Sequence, residues 1–172
     1  DPVGLVVIVL AVSLLIAGVK LLPSSWNEAK ANLSTELIGM AITVLVLDRL
    51  YSFRDEQREK RRIIQQMASP SNEFALHAVN IADNEKWLFD GSLRGANLSL
   101  ANLKGALLWG TKMEGARLAV VNLENANLRE CQMQNVYLKG SNLKNSDLRA
   151  ANLFEANLID VDLTSANLEG AN

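Results

Sequence analysis

An apolar residue returns at every fifth position through the second half of this chain. The series runs from Leu93 to Leu168 without a break and comprises 16 positions, 14 Leu and 2 Met. Two positions before each stands a small residue, most often Ala, and Asn or Asp usually lies between the two. A period of five fits neither a helix, which repeats every 3.6 residues, nor a flat strand, which repeats every two. The backbone must therefore turn a corner in each repeat, so that the small residue and the Leu point inward and three residues face out.

Such coils bury their inward residues only against one another, so they stack as a solenoid at the spacing of neighbouring strands. The repeat resembles the A(D/N)Lxx pattern of the pentapeptide-repeat family over residues 91–172. The resemblance implies an all-β, right-handed quadrilateral β-helix with four pentapeptides in a coil and about four coils, roughly 19 Å tall at strand spacing. Departures from Asn or Asp gather in the first half, so we expect less regular coils there: Leu107, Lys112, Arg117, Gln132 and Tyr137.

The chain begins with a long apolar segment. Residues 3–22 carry one charge, Lys20, and a helix of about 20 apolar residues is long enough to cross a bilayer. A second uncharged run, residues 37–47, has only 11 residues and is flanked by Glu36 and Asp48. We expect a transmembrane α-helical hairpin over residues 1–53; the alternative is one spanning helix followed by a helix along the membrane surface.

A basic stretch follows the second run and sets the expected topology. The positive-inside rule places it, and the repeats after it, on the cytoplasmic side of the membrane. By analogy with the resembled family, that membrane is expected to be a bacterial inner or photosynthetic membrane. Residues 54–90 are expected to form a charged helix, a linker and a capping helix for the N-terminal end of the solenoid, residues 91–172. Membrane lipid is an expected partner, and the candidate lipid or interface residues are Trp26, Arg54, Arg58, Lys60, Arg61 and Arg62.

Composition argues against several classes of function. The chain has one Cys and one His, so it holds no Cys/His cluster for zinc. No nucleophile–base pair, phosphate-binding loop or dinucleotide fingerprint is present, and we expect no catalytic residue, cofactor or metal. Cys131 occupies an inward small-residue position and is read as core packing, and His77 as a surface or packing residue.

Quinolone-resistance members of the resembled family mimic DNA and bind gyrase, which requires a strongly negative rod. Residues 91–172 carry eight basic and eight acidic residues, a net charge of zero. The charge is also polarised: residues 91–146 hold seven basic and three acidic residues (+4), and residues 147–172 one basic and five acidic (−4). The DNA-mimic alternative is therefore the least favoured, and we expect no nucleic-acid partner.

Outward apolar residues mark the candidate contact surface. In the expected coil four of them, Leu100, Leu107, Trp109 and Val120, gather toward the N-terminal end of the solenoid, and an exposed apolar patch usually marks a contact. Two readings stay open: the contact is made with the capping helix of the same chain, or with a partner protein. The candidate interaction residues are Leu100, Leu107, Trp109, Val120, Tyr137 and Ile159.

Together these features predict a non-catalytic, membrane-anchored scaffold that presents a repeat solenoid for protein–protein interaction. By analogy with the family it is expected to be an accessory subunit of a larger photosynthetic or respiratory membrane complex. The alternative is a self-associating membrane protein without a partner complex. The resemblance also keeps a homodimer open, since the family often dimerises through its C-terminal end.

Overall fold

The repeats stack with a period of 20 residues in a computed structural model of the chain. Parallel β-bridges join the residue before each inward Leu or Met to the residue 20 positions later, from Asn97↔Arg117 to Asp147↔Asn167. Backbone hydrogen bonds follow the same register: Leu98 N–H donates to the Arg117 carbonyl (2.8 Å) and Arg117 N–H to the Ala96 carbonyl (2.8 Å). One coil therefore contains four pentapeptides, and the bridges continue without interruption through the departures at Leu107, Lys112 and Tyr137.

We number the sides of the coil by their columns of inward residues. Sides 1 to 4 begin at Leu98, Leu103, Leu108 and Met113, and the coils cover residues 96–115, 116–135, 136–155 and 156–172. A turn closes each side; on side 1 of the first coil, Ala101 N–H donates to the Leu98 carbonyl at 3.2 Å. The residue before each such donor has a positive φ, the left-handed conformation that a type II turn requires at its third position.

The inward columns form the hydrophobic core. Leu and Met side chains from Leu93 to Leu148 are almost completely buried, and small residues fill the positions between them. Buried hydroxyl groups donate to backbone carbonyls, as Ser141 Oγ does to Leu118 (2.6 Å) and Ser146 Oγ to Leu143 (2.7 Å). Cys131 is buried, its Sγ lies 2.9 Å from the Leu108 carbonyl oxygen, and burial raises the pKa of its thiol to about 12.

Two helices precede the repeats. The structure describes Ser13, Ala17 and residues 24–172, although not the side chains at 24, 28–31 and 34. A 3₁₀ turn at Ser24–Trp26 leads into α1 (Asn27–Met67), and α2 follows at Asn72–Asn84. The chain divides into two compact units, residues 1–57 and residues 58–172, which are described separately.

Within the second unit, α2 and the end of α1 cover the first coil. Ile63 and Met67 of α1 are buried in the same core as the α2 side chains. The segment between the helices and the start of α2 pair with backbone groups of the first coil. Asn102 N–H donates to the Ser69 carbonyl (2.9 Å), and Asn72 Nδ2 donates to the carbonyls of Asn102 and Lys104, each at 3.0 Å. The cap therefore pairs part of the backbone edge that the first coil would otherwise expose, as a solenoid end requires. The buried side chains of α2 are Ala75, Ala78, Val79 and Ala82.

The predicted fold class is wrong in two respects. No run of residues among those described forms a strand; the coils are joined by isolated bridges, because a left-handed turn residue returns every five positions and leaves one bridged residue per repeat. The chain is therefore not the all-β right-handed quadrilateral β-helix that was expected. Its described elements are the two α-helices and these bridged coils.

The predicted transmembrane hairpin is also contradicted. No helix in the described part of the chain is long and apolar enough to cross a membrane. The uncharged run of residues 37–47 is too short, and α1 continues from it through Asp48 and Arg49 into a charged stretch. The predicted localisation as an integral membrane protein of a bacterial inner or photosynthetic membrane, with cytoplasmic repeats, conflicts with this finding and is corrected. Apart from Ser13 and Ala17, residues 3–22 lie outside the described residues.

Candidate functional site

An apolar ridge runs along side 1 of the coils and the corner that follows it. We define the apolar ridge as Leu100, Ala119, Val120 and Ile159. Leu100 is 66% exposed, Val120 58% and Ile159 56%. Leu100 N–H donates to the Ala119 carbonyl (2.9 Å), which places the members from the first two coils side by side, and Gly140 N–H donates to the Ile159 carbonyl (2.9 Å). The ridge therefore has members in the first, second and fourth coils, and Gly140 interrupts it in the third.

The ridge carries large apolar side chains where the backbone disfavours them. Leu100 has a φ of 66° and Val120 a φ of 54°. The equivalent corner positions elsewhere in residues 91–172 hold Gly, Ala or polar residues such as Asn125 (59°) and Asn145 (55°). A left-handed conformation costs roughly 1–2 kcal/mol for a residue with a Cβ, and a β-branched residue there is a true outlier. The chain thus holds two exposed apolar side chains in strained conformations.

A notch lies beside the ridge in the third coil. Gly140 occupies the same corner column as Leu100 and Val120, with a φ of 70°. A Cβ at this position would lie 3.6 Å from Cγ2 of Val120. The corner therefore projects in the first and second coils and recedes in the third.

Three polar side chains of side 1 make no polar contact with their own chain. Asn97, Arg117, Tyr137 and Asn157 form one outward column. The side chains of Arg117, Tyr137 and Lys139 make no hydrogen bond or ion pair with any other residue of the described chain. Their hydrogen-bond donors are therefore free for another molecule.

Sides 2 and 4 differ, because their polar groups pair along the stack. On side 2, Asn122 Nδ2 donates to Asn102 Oδ1 (3.2 Å), and Lys104 pairs with Glu124 (2.9 Å). On side 4, Arg94 makes a two-pronged ion pair with Glu114, at 3.0 and 2.8 Å. The pKa of Glu114 is lowered, chiefly by the hydrogen bond from Arg94. These pairs engage much of the polar surface of sides 2 and 4; Gln134 Oε1 on side 4 has no hydrogen-bond partner in the described chain.

Side 3 combines an ion pair with an aromatic group. Arg149 donates to Asp147 at 2.9 and 2.6 Å and, mainly by that hydrogen bond, lowers the Asp147 pKa to about 2. Trp109, in the first coil, is 50% exposed and meets the Phe89 ring edge to face, with centroids 6.3 Å apart. Leu107 lies beside it and is exposed.

The six candidate contact residues thus fall into two groups. Leu100, Val120, Tyr137 and Ile159 share side 1 and its corner. Leu107 and Trp109 lie on side 3, separated from them by the polar side 2. For Trp109, the contact with Phe89 is made within the chain.

Comparison with known protein families identifies the repeats. A family model described as pentapeptide repeats matches residues 96–135 and 131–170, with eight copies. The repeat region belongs to the pentapeptide-repeat family. The resemblance seen in the sequence is therefore confirmed for the pentapeptide repeats, whereas the N-terminal transmembrane hairpin is not supported.

Several solved pentapeptide repeat proteins are similar to the chain. HetL, involved in heterocyst differentiation regulation in the cyanobacterium Nostoc sp. strain PCC 7120, is 30% identical over 46% of this chain and 37% of its own, with a TM-score of 0.46. Rfr23 from the cyanobacterium Cyanothece 51142 is 31% identical over 45% of this chain and 59% of its own, with a TM-score of 0.36. A second Nostoc protein is 28% identical over 53% and 73%, with a TM-score of 0.37.

These similarities are confined to part of each protein. The chain spans about a third of HetL and somewhat over half of Rfr23. No curated protein matches the chain.

The candidate lipid residues are placed on α1 and the turn before it. Trp26, Arg54, Arg58, Arg61 and Arg62 are exposed. Lys60 is not: its side chain is only 12% exposed, its Nζ lies 2.8 Å from Asp90 Oδ2, and it stands over the Trp87 ring at 5.5 Å. Lys60 therefore joins α1 to the capped end of the pentapeptide region.

Two features of this region were not expected from the sequence. Ile63 and Met67 are core residues of the cap, and their spacing of four, one helical turn, was the available signal within an otherwise charged stretch. The strain at Leu100 and Val120 was also missed, although Gly and Asn at the other corners of the repeats indicated a left-handed position.

Proposed function

We propose that the pentapeptide region is a non-catalytic protein-binding module and that the apolar ridge on side 1 is its contact surface. The proposal includes no cofactor, no metal and no nucleic acid. It concerns residues 91–172 and the ridge they carry.

The observation that carries the proposal is the exposed, strained pair Leu100 and Val120. Both positions accept Asn or Gly at lower conformational cost, as the neighbouring corners show. A large apolar side chain at these corners gains little from burial in its own chain, since more than half of each is exposed. Backbone strain tends to persist at functional sites, and an exposed apolar patch marks a contact.

Two further observations support the same side. Arg117 and Tyr137 are free of intramolecular partners, and Arg and Tyr are enriched where interfaces concentrate their binding energy. Sides 2 and 4 already pair their polar groups internally. Side 1 therefore combines apolar area with free polar groups, the composition of an interface core and rim.

The test compares two double variants of the full chain. Leu100→Asn with Val120→Asn removes the apolar side chains from side 1 but keeps residues that tolerate a left-handed backbone. Glu130→Asn with Ala150→Asn makes the same change on another corner, where φ is 56° and 55°. Both pairs are 20 residues apart and lie in adjacent coils, so the second is a matched control.

Each chain is immobilised, and the proteins retained from an extract of its host are identified and quantified by mass spectrometry. We expect the wild type and the control to retain the same partner in a fixed ratio, and the ridge variant to lose it at least tenfold. Equal retention by all three chains, or equal loss in both variants, would refute the ridge as the contact surface.

The finer expectation, an accessory subunit of a photosynthetic or respiratory complex, stays a prediction. The identity of the retained partner in this experiment decides it. A set of subunits from one such complex would support it.

A further inference from the structure

We infer that the partner of the apolar ridge is an acidic segment of another protein, in which carboxylates stand next to large apolar side chains. This inference rests on the proposed function and adds the chemistry of the partner. It follows from the two basic residues of side 1, Arg117 and Lys139, and from their position beside the ridge.

The basic residues on the other three sides all have carboxylate neighbours. Four of them form ion pairs at 2.6 to 3.0 Å, namely Lys104–Glu124, Lys144–Asp162, Arg149–Asp147 and Arg94–Glu114. The pKa of Asp147 is lowered mainly by the hydrogen bond from Arg149, and the charge of Arg129 adds to that effect. The pKa of Glu114 is lowered mainly by the hydrogen bond from Arg94, and the charge of Lys112 adds to that effect.

The two basic residues of side 1 have no such partner. Arg117 lies in the second coil and Lys139 in the third, and both side chains are exposed. Neither forms a hydrogen bond or an ion pair within the described chain. The one acidic residue at the outward positions of side 1 is Asp160, at the fourth corner, and no ion pair joins it to Lys139 among the described residues. Carboxylates of a partner can therefore pair with both basic groups without displacing an existing interaction.

Both basic residues lie beside the apolar ridge. Val120 N–H donates to the Lys139 carbonyl at 2.9 Å, and Arg117 is three residues before Val120 on the same side of the coil. Tyr137, which is bridged to Arg117, is two residues before Lys139. Neighbouring coils are about 4.8 Å apart. A peptide with an apolar side chain on Val120 therefore reaches these basic groups with a carboxylate only a few residues away.

The apolar ridge favours an acidic peptide over a nucleic acid. Phosphate groups can pair with Arg117 and Lys139, but binding to a phosphate backbone depends on many basic contacts, and residues 91–172 have a net charge of zero. Leu100 and Val120 also need an apolar cover, which a phosphate backbone does not supply. In the inferred contact, burial of the ridge supplies most of the affinity, and the two charges select and orient the partner.

Selection from a displayed library of random peptides, with the full chain immobilised, tests the inference. We expect the retained peptides to combine Asp or Glu with large apolar residues. For a retained peptide made by synthesis, the Kd should increase about fivefold or more in the Arg117→Gln, Lys139→Gln variant. The matched control is Lys104→Gln, Lys144→Gln, which removes the same charge from side 2, and its Kd should equal that of the wild type.

A double-mutant cycle then shows whether the carboxylates meet these two residues. Replacing Asp by Asn and Glu by Gln in the peptide should weaken binding to the wild type as much as the Arg117→Gln, Lys139→Gln variant does. The same replacement should have little further effect on that variant, because both changes remove one interaction. Binding should also weaken as the salt concentration is raised, since these charges are exposed.

The outcomes separate this inference from the proposed function. Retained peptides without an excess of acidic residues, equal weakening in both double variants, or a library that yields no peptide dependent on Arg117 and Lys139 would overturn the inference. If the retained peptides are not acidic but lose binding in the Leu100→Asn, Val120→Asn variant, the ridge stands as the contact surface and the chemistry assigned to its partner is wrong. If acidic peptides bind that variant as tightly as the wild type, the ridge is not the contact surface, and the proposed function fails together with the inference.

Discussion

Val120 should lower the stability of the chain, although it is a native residue. Its φ of 54° places a β-branched side chain in the left-handed region, at a cost of roughly 1–2 kcal/mol. The side chain is 58% exposed, so replacing it forfeits less than half of the ~1.5 kcal/mol that full burial of a Val contributes. Asn tolerates the left-handed conformation. Val120→Asn should therefore raise the free energy of unfolding by about 0.5–1 kcal/mol.

The reverse substitution at the next corner is the matched control. Asn125 has a φ of 59° in the same coil, and Asn125→Val introduces the strain that Val120→Asn removes. We expect Asn125→Val to lower the free energy of unfolding by about 1–2 kcal/mol.

Denaturant unfolding of the full chain measures both changes, as shifts of the midpoint at an unchanged slope. In a thermal scan, 1 kcal/mol corresponds to about 2–4 °C for a chain of this size. If Val120→Asn lowers the midpoint as much as Asn125→Val does, strain does not dominate at Val120, and the reasoning that selects the apolar ridge fails with it.

Three further predictions concern the core and the charges of the pentapeptide region. Leu128→Ala, at a fully buried position on side 3, should lower the free energy of unfolding by about 2–5 kcal/mol, and Leu107→Ala on the exposed surface of that side by much less; denaturant unfolding compares them. Cys131 should not react with a thiol reagent in the native chain and should react fully once the chain is unfolded, since its thiol is buried with a pKa of about 12. The Asp147 pKa is lowered to about 2, so its pairing with Arg149 stabilises the fold above the ordinary carboxyl pKa, near 4, and is lost as the pH falls from there toward 2; Asp147→Asn should flatten that part of the acid unfolding curve.

The inward half of each repeat could be predicted from the sequence because it obeys one rule. Leu and small residues recur every five positions, and the structure buries them through the first three coils. In the fourth coil Leu158 and Leu168 are partly exposed, since a column is buried only where another coil covers it. The expectation of less regular coils in the first half was wrong: Leu107 and Arg117 face outward, so they change the surface and leave the bridges intact.

The helical half was harder to predict, because the sequence pattern does not show which other elements its apolar residues pack against. Met67 is buried in one core with side chains of α2 and of the repeats, and the repeats lie far from it along the chain. Lys60 was grouped with the exposed basic residues, yet Asp90 and Trp87 draw it into the cap. A run of charged residues indicates that a segment can face solvent. Only the folded structure shows which of those residues forms an ion pair.

The candidate site required both kinds of information. The sequence shows that Leu100 and Val120 face outward, but only the backbone shows that both are held at positive φ. At Val120, the strained backbone favours a residue such as Asn, whereas binding of a partner favours an apolar side chain. If the apolar ridge is a contact surface, Val120→Asn should stabilise the folded chain while it weakens association. A residue kept only for packing would, when replaced, lower the stability and leave association unchanged. Stability and association measured on the one variant therefore distinguish a contact residue from a packing residue.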